Sequence, residues 1–215
     1  MPIHVVRQGE TVPSIANEQG IADWKTVYDD AANADLKAAR PRPTILYPGD
    51  QIEVPARESK KVSGSTERRH RFRLKGEPLW LRVILKDIND EPVGNTKYTL
   101  EIGNRKWEGQ TKPNGLVEHK IPLDSQNGKL TLREADNAVR EVLSLKIGHL
   151  DPVDMTTGWK ARLNNLGYLS GRINTVENHQ SRSATEEFQC ESNLLPPTGQ
   201  MDGTTKSALT SKYGA

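Results

Sequence analysis

Apolar positions along this chain change their spacing twice, near residue 76 and near residue 150. From residue 1 to 55 they come in short bursts: Ile3, Val5 and Val6, then Ile15 and Ala16, then Trp24, Val27 and Tyr28, then Ile52 and Val54. Ile3 to Val6 predicts a short strand with Gly9 as its turn. Thr11 with Ser14 offers an N-cap for a short helix, because their hydroxyls can take backbone N–H groups left over in a first turn. Pro13 is tolerated early in that helix, where its missing N–H would be unpaired anyway. Gly20 fits the left-handed residue that follows a helix. Asp23 predicts the cap of a second helix whose Trp24, Val27 and Tyr28 form one buried stripe. Pro41, Pro43 and Pro48 stiffen the return path, and Gln51 to Val54 alternates as a second strand does.

Residues 56–75 break the pattern: they lack apolar periodicity and are locally basic, with Lys60-Lys61 and Arg68-Arg69-His70-Arg71. They predict a solvated linker, the other reading being a contact to an anionic partner or wall polymer. From 76 to 149 the period becomes two. Leu79, Leu81, Val83 and Leu85 alternate with Trp80, Arg82, Ile84 and Lys86, and Tyr98, Leu100 and Ile102 with Thr99, Glu101 and Gly103. Turns are expected at Asn89-Asp90, Gly103-Asn104, Pro113-Asn114-Gly115 and Gln126-Asn127-Gly128. Short strands with regular turns predict an antiparallel β-sandwich.

From 150 to 215 the spacing turns helical. Trp159, Leu163, Leu166 and Leu169 share one stripe, a polar loop runs from Ser170 to Ser181, and a second helix is expected over 184–190. A third follows Asp202, which stands as its N-cap before Thr204-Thr205. Leu163, Leu166, Phe188, Cys190, Leu195, Met201, Ala208 and Leu209 make the expected core of these three helices. The fold class is thus α+β multidomain.

Composition agrees with several small cores. Apolar residues are 34% of the 215 and mean hydropathy is -0.71, too polar for one large interior; small domains bury a smaller share of their surface. A net charge of +2 gives no general push towards nucleic acid, so no nucleic-acid partner is expected. One cysteine, Cys190, leaves no intrachain disulfide. Met1-Pro2-Ile3-His4 opens without a basic segment followed by an apolar run, so no secretory signal is expected. No stretch approaches the roughly 20 apolar residues of a membrane span, so no membrane insertion is expected either.

Chemistry-bearing residues are scattered. His4, His70, His119, His149 and His179 fall in different segments and no pair has zinc-ligand spacing; His119, in an alternating strand, is expected to be a surface or hydrogen-bonded residue. Cys190 has no nearby base to activate it and is expected to be buried structure. Glu186 and Glu187 point about 100° apart on a helix and cannot flank one glycosidic bond. The expectation is no catalytic residue, no metal and no cofactor.

Three ordered stretches carry resemblances to known families. Val5-Val6-Arg7-Gln8-Gly9-Glu10-Thr11-Val12 with Ile15-Ala16, closed by Leu46-Tyr47-Pro48-Gly49-Asp50-Gln51-Ile52, resembles a LysM module over residues 1–55, which implies a βααβ fold. That family recognises N-acetylglucosamine-containing polymers such as peptidoglycan. Its groove, carried over, comprises Gly9, Glu10, Thr11 and Val12 on one side and Thr44, Ile45, Leu46 and Tyr47 on the other. Residues 33–43 are longer than the commonest LysM form. Asp90-Glu91-Pro92-Val93 through Leu100, with Thr111 and Asn114-Gly115-Leu116-Val117, resembles transthyretin-like or carboxypeptidase-regulatory-like sandwiches over 76–149. Leu163-Asn164-Asn165-Leu166-Gly167-Tyr168, Ala184-Thr185-Glu186-Glu187-Phe188-Gln189 and Thr198-Gly199-Gln200-Met201-Asp202 with Thr205, Ala208 and Leu209 are similar to the three-helix peptidoglycan-binding domain over 150–215. Its candidate contacts are Asn164, Asn165 and Tyr168. In place of the family's usual hairpin the chain has Ile173-Asn174-Thr175-Val176-Glu177-Asn178-His179.

Together these imply a non-catalytic peptidoglycan-binding protein. The long Arg-Pro-x-Pro return resembles LysM modules of contractile machines, which implies an accessory or cargo of a type VI secretion spike, with a spike or effector protein as further partner. Such a chain is made in the cytoplasm and acts at the periplasm or cell wall once exported. The alternatives are the targeting subunit of a cell-wall hydrolase and a spike–effector bridge that binds no glycan.

Overall fold

The computed structural model describes residues 2–56, 63–71 and 79–214. The chain divides into two units, Met1–His149 and Leu150–Ala215.

In the first unit β1 (Ile3–Val5) lies antiparallel to β2 (Gln51–Glu53), with Ile3 opposite Glu53 and Val5 opposite Gln51. Between them run α1 (Val12–Glu18), α2 (Lys25–Tyr28), a 3-10 turn over Ala31–Asn33 and α3 (Ala34–Ala39). The Thr11 hydroxyl accepts from the Ser14 N–H at 3.2 Å and the Ser14 hydroxyl from the Thr11 N–H at 2.9 Å, so two orphan donors of α1 are met reciprocally. Val6, Val12, Ile15, Val27, Leu46 and Ile52 close over a small core.

Two details differ from the sequence pattern. Helix α2 is a single turn, and Trp24 packs on the core from just before it. The segment before the proline-stiffened return, to which the apolar pattern assigns no element, carries the 3-10 turn and α3. Asp30 starts that turn by accepting from the Ala32 N–H at 2.9 Å. Asn33, buried, donates to the carbonyls of Val27 and Glu53 and accepts from the Glu53 N–H at 2.7 Å. One amide therefore ties the turn to the edge of β2, a tertiary contact that local apolar spacing does not show. Of the expected linker over 56–75, residues 57–62 and 72–75 lie outside the described residues, and 63–71 are exposed throughout.

The remainder of this unit holds two sheets. β3 (Leu79–Ile84) pairs with β6 (Leu116–Ile121), and β4 (Lys97–Ile102), β5 (Arg105–Gln110), β7 (Asn127–Arg133) and β8 (Val139–Lys146) form a second sheet in the order β5-β4-β7-β8. Leu100, Leu130, Leu132, Val117 and Ile121 from both sheets share one apolar cluster. Thr111 anchors the approach to β6: its hydroxyl donates to the Val93 carbonyl at 2.6 Å and accepts from the Thr96 N–H at 3.0 Å. Gly115 has φ +77, and a Cβ there would lie 2.2 Å from the Leu85 carbonyl oxygen. The turn expected at Gln126-Asn127-Gly128 falls earlier. Ser125 bonds back to the Pro122 carbonyl through both its N–H and its hydroxyl, which leaves Asn127 and Gly128 free to open β7 opposite Lys146 and Leu145.

His119, on β6, is half-buried, with Nε2 2.7 Å from the Tyr98 hydroxyl and its ring centroid 5.5 Å from that of Trp107. Burial pushes the imidazole pKa below its ordinary value. Folding then disfavours the protonated ring, while the unfolded chain takes up its proton at the ordinary value. Stability must fall as pH drops through the ordinary imidazole range. Calorimetry between about pH 7 and about pH 5 should show the first unit's melting temperature falling, and falling less in His119→Gln. Equal slopes in both proteins would show that another group carries the effect.

The second unit is three helices: α4 (Thr156–Asn165), α5 (His179–Glu191) and α6 (Gly203–Tyr213). Trp159, Leu163, Tyr168, Ala184, Phe188 and Leu209 form its core, with the Tyr168 and Phe188 rings edge to face at 5.5 Å. Asp202 caps α6 by accepting from the Thr205 N–H at 2.8 Å. Gly158 lies where α4 crosses the entering chain: a Cβ there would sit 1.9 Å from the Pro152 carbonyl oxygen and 2.6 Å from that of Asp151.

Four expectations are corrected here. Helix α4 stops at Asn165 and Gly167 takes φ +95, so Leu169 leaves the apolar stripe and is 75% exposed. Helix α5 starts at His179, well before Ala184, because Asn178 and Ser181 form a capping box that no apolar residue announces. Cys190 is exposed; its neighbours Phe188 and Gln189 take the inward positions, and a residue about 100° further round the helix faces out. Leu195 is 71% exposed, its expected place filled by Leu194.

Candidate functional site

The two N-terminal loops that the LysM resemblance singles out lie side by side. The Val12 N–H donates to the Pro43 carbonyl at 2.9 Å, which sets the loop after β1 beside the loop before β2. Most of the eight candidate residues are nevertheless occupied by the fold. Val12, Ile45 and Leu46 are buried, Val12 and Leu46 within the apolar cluster. The Glu10 carboxylate accepts from the His4 ring and from the Arg7 N–H, each at 2.8 Å, and the Thr11 hydroxyl serves the cap. The Tyr47 N–H donates to Asp50 at 2.8 Å, and the same carboxylate takes a two-pronged contact from Arg40 at 2.8 and 3.1 Å. Thr44 and the Tyr47 side chain are half-buried at the mouth.

Gly9 faces another part of the same unit. With φ +88 it turns its open side to the His149 ring, where a Cβ would come within 2.6 Å of Nε2. The Gln8 amide donates to the His149 carbonyl at 3.2 Å. A Cβ on Gly148 would lie 2.7 Å from the Gly9 carbonyl oxygen and 3.0 Å from the Thr11 methyl. The backbone at Gly9, through which a glycine turn could meet a sugar closely, is therefore covered by Gly148 and His149.

In the second unit the three candidates have separate fates. Asn164 pins the following loop: its amide donates to the Gly171 carbonyl at 2.9 Å, and its oxygen accepts from the N–H and hydroxyl of Ser170. Asn165 is exposed and donates to the Tyr213 hydroxyl at 2.8 Å. Tyr168 buries its ring in the core and sends its hydroxyl between Glu191 and Lys212. Asn165 thus offers its amide at the surface, whereas Asn164 and Tyr168 are mainly structural.

Two further polar residues organise this unit. Lys160 is fully buried and its ammonium donates to the Arg172 carbonyl at 3.4 Å, the Asn174 side-chain oxygen at 3.0 Å and the Val176 carbonyl. Oxygens from alternate residues wrap it as a loop wraps a metal cation. Gln189, also buried, accepts from the Thr198 and Gly199 N–H groups and donates to the Gln200 carbonyl and the Thr205 hydroxyl, so one amide joins α5, the Thr198-Gly199 turn and α6. Gln189 is visible in the sequence as the last residue of its motif. Lys160 has no such signal, since two of its partners are backbone oxygens. A shallow depression lies between the start of the unit and α6, lined by Val153, Asp154, Gly203, Lys206, Ser207 and Thr210; none of the candidate residues lines it.

Among the described residues no three of His, Cys, Asp and Glu gather as metal ligands, and no helix is long and apolar enough to cross a membrane. Residues 159–209 match the family model described as "Putative peptidoglycan binding domain". The match runs from Trp159 to Leu209, the first and last residues of the three-helix core, and includes the turn held by Gln189. No curated protein and no solved structure matches the chain. The match supports a C-terminal peptidoglycan-binding domain, and with it peptidoglycan as a partner and the cell wall or periplasm as the place of action.

Proposed function

We propose that this protein is a non-catalytic accessory that holds peptidoglycan through its second unit, with the N-terminal module as a LysM-type second contact. One observation carries the reading: the family match spans the core of the second unit from end to end. The antiparallel pairing of β1 with β2 around the intervening helices supports a LysM-like build for residues 1–55. Two weak modules on one chain raise each other's effective concentration whenever both can engage. The resemblance of the N-terminal return segment to LysM modules of contractile machines supports a role beside a type VI secretion spike, which would deliver the protein to the periplasm.

The test is sedimentation of the full chain with purified sacculi, following bound protein and released soluble fragments together. Co-sedimentation without fragments is the expected result. Protein left wholly in the supernatant overturns the reading, and release of fragments by the chain alone would make it a hydrolase.

A second reading is favoured by His149 over Gly9. With that backbone covered, the N-terminal module serves as a protein-docking element joining spike and effector, and only the second unit touches the wall. Deleting residues 150–215 would then abolish sedimentation completely, instead of weakening it.

A further inference from the structure

The two-stranded sheet of β3 and β6 has an inward face of Leu79, Leu81, Val83, Val117 and Ile121, which serves the apolar cluster. Its outward face is unusual for a solvated surface. Trp80 stands there 42% exposed, directly across from Lys120, whose ammonium is 5.1 Å from the indole centroid. The Arg82 guanidinium is 5.5 Å from the same ring. Glu118 faces Arg82 in the strand register and holds it at 2.6 Å, while Lys112 reaches the other oxygen of that carboxylate at 3.3 Å. Both cations push the Glu118 pKa down, so it remains ionised. Among the described residues the patch of Arg82, Lys112, Lys120 and Glu118 carries a charge of +2. Among the described residues no carboxylate is paired with Lys120.

We propose that this face, centred on Trp80, Arg82 and Lys120, is a further binding site for a carboxylate-bearing saccharide, the stem-peptide-substituted strand of peptidoglycan. The inference rests on the proposed peptidoglycan reading. The exposed part of the indole offers apolar contact to sugar C–H groups and acetyl methyls, and the two cations beside it complement carboxylates of the stem peptide. Among the described residues Lys120 meets the Trp80 ring and no carboxylate. Arg82 is held in place by Glu118, so less side-chain freedom is lost when a ligand arrives.

The test uses the full chain and a soluble disaccharide carrying its acidic stem peptide, titrated while tryptophan emission is followed. Wild type should show a saturable change that is absent in Trp80→Phe. Lys120→Glu should bind about tenfold more weakly, the scale of one charged contact turned repulsive. The same disaccharide without its peptide should bind more weakly than the intact fragment. An emission change that persists in Trp80→Phe, unaltered affinity in Lys120→Glu, or equal binding of the stripped disaccharide would each overturn the site. So would a Trp80-dependent change produced by duplex DNA or anionic vesicles but not by the fragment. Sacculi sedimentation separates the two claims. If wild type and Lys120→Glu sediment alike and the titration is silent, this face is excluded while the function stands. If neither protein sediments, the function falls and the titration still decides the face.

Discussion

Gly158→Ala is expected to unfold the second unit, although alanine is the better helix former by about 1 kcal/mol. The added methyl would sit 1.9 Å from the Pro152 carbonyl oxygen and 2.6 Å from that of Asp151, well inside van der Waals contact with backbone that cannot rotate away. Displacing that backbone has a second cost. The Asp151 carbonyl accepts from the buried Arg162 guanidinium at 2.7 Å, and the Gly158 carbonyl accepts from the same group at 3.0 Å. Overpacking alone costs about 1–3 kcal/mol, and loosening a buried charged donor adds a comparable amount. The sum is most of what a small domain has to spare. Chemical denaturation of the full chain should show the transition of the second unit lost or moved to far lower denaturant, with sacculi binding lost alongside. A Gly158→Ala protein melting within a few degrees of wild type would sink the packing argument.

Lys160→Met should have the next largest effect. Methionine fills much of the same volume, so the loss isolates the ammonium and not a cavity. Removing it leaves the Arg172 and Val176 carbonyls pointing into a space that no longer donates, and leaves the Asn174 side-chain oxygen with the Val176 N–H at 3.2 Å. Each orphaned group costs about 1–3 kcal/mol while it stays buried. The loop can swing out to water, which limits the net loss to about 2–4 kcal/mol. Amide exchange should therefore accelerate across 172–178 before the helices themselves loosen. Lys160→Arg should fail to rescue it, because a planar fork cannot reach three oxygens gathered around one point. Unchanged exchange in that loop would show that the loop holds its shape without the ammonium.

What could be read in advance divides along the range of the interactions. Thr11 with Ser14 and Asp202 with Thr205 are local polar pairs whose partners stand three residues apart, and both caps form where the spacing put them. The alternation through Leu79–Ile84 and Lys97–Ile102 became strands because each residue's face depends only on its neighbours along the chain. Asn178 with Ser181 is the same kind of pair, yet the apolar pattern does not reveal it because no apolar stripe begins beside it. The inward direction of Phe188 and outward direction of Cys190 depend on where α5 meets its neighbours. Asn33, Gln189 and Lys160 act through backbone groups far along the chain, and backbone groups look alike in every sequence. The two N-terminal loops adjoin through the Val12–Pro43 backbone bond, but the covering of Gly9 by His149 is a tertiary contact that no motif encodes.

The wrapping of Lys160 also separates the shape of a loop from its spelling. Its hold on residues 172–176 uses two carbonyls and one asparagine amide, while the side chains of Ile173 and Val176 stand 54% and 60% exposed and Thr175 is exposed beside them. Everything those three side chains present to solvent can be rewritten while Asn174 and the lysine beneath stay in place. The second unit therefore carries a small display loop, pinned from inside by a helix, that would accept a grafted recognition sequence or a randomised library at 173, 175 and 176.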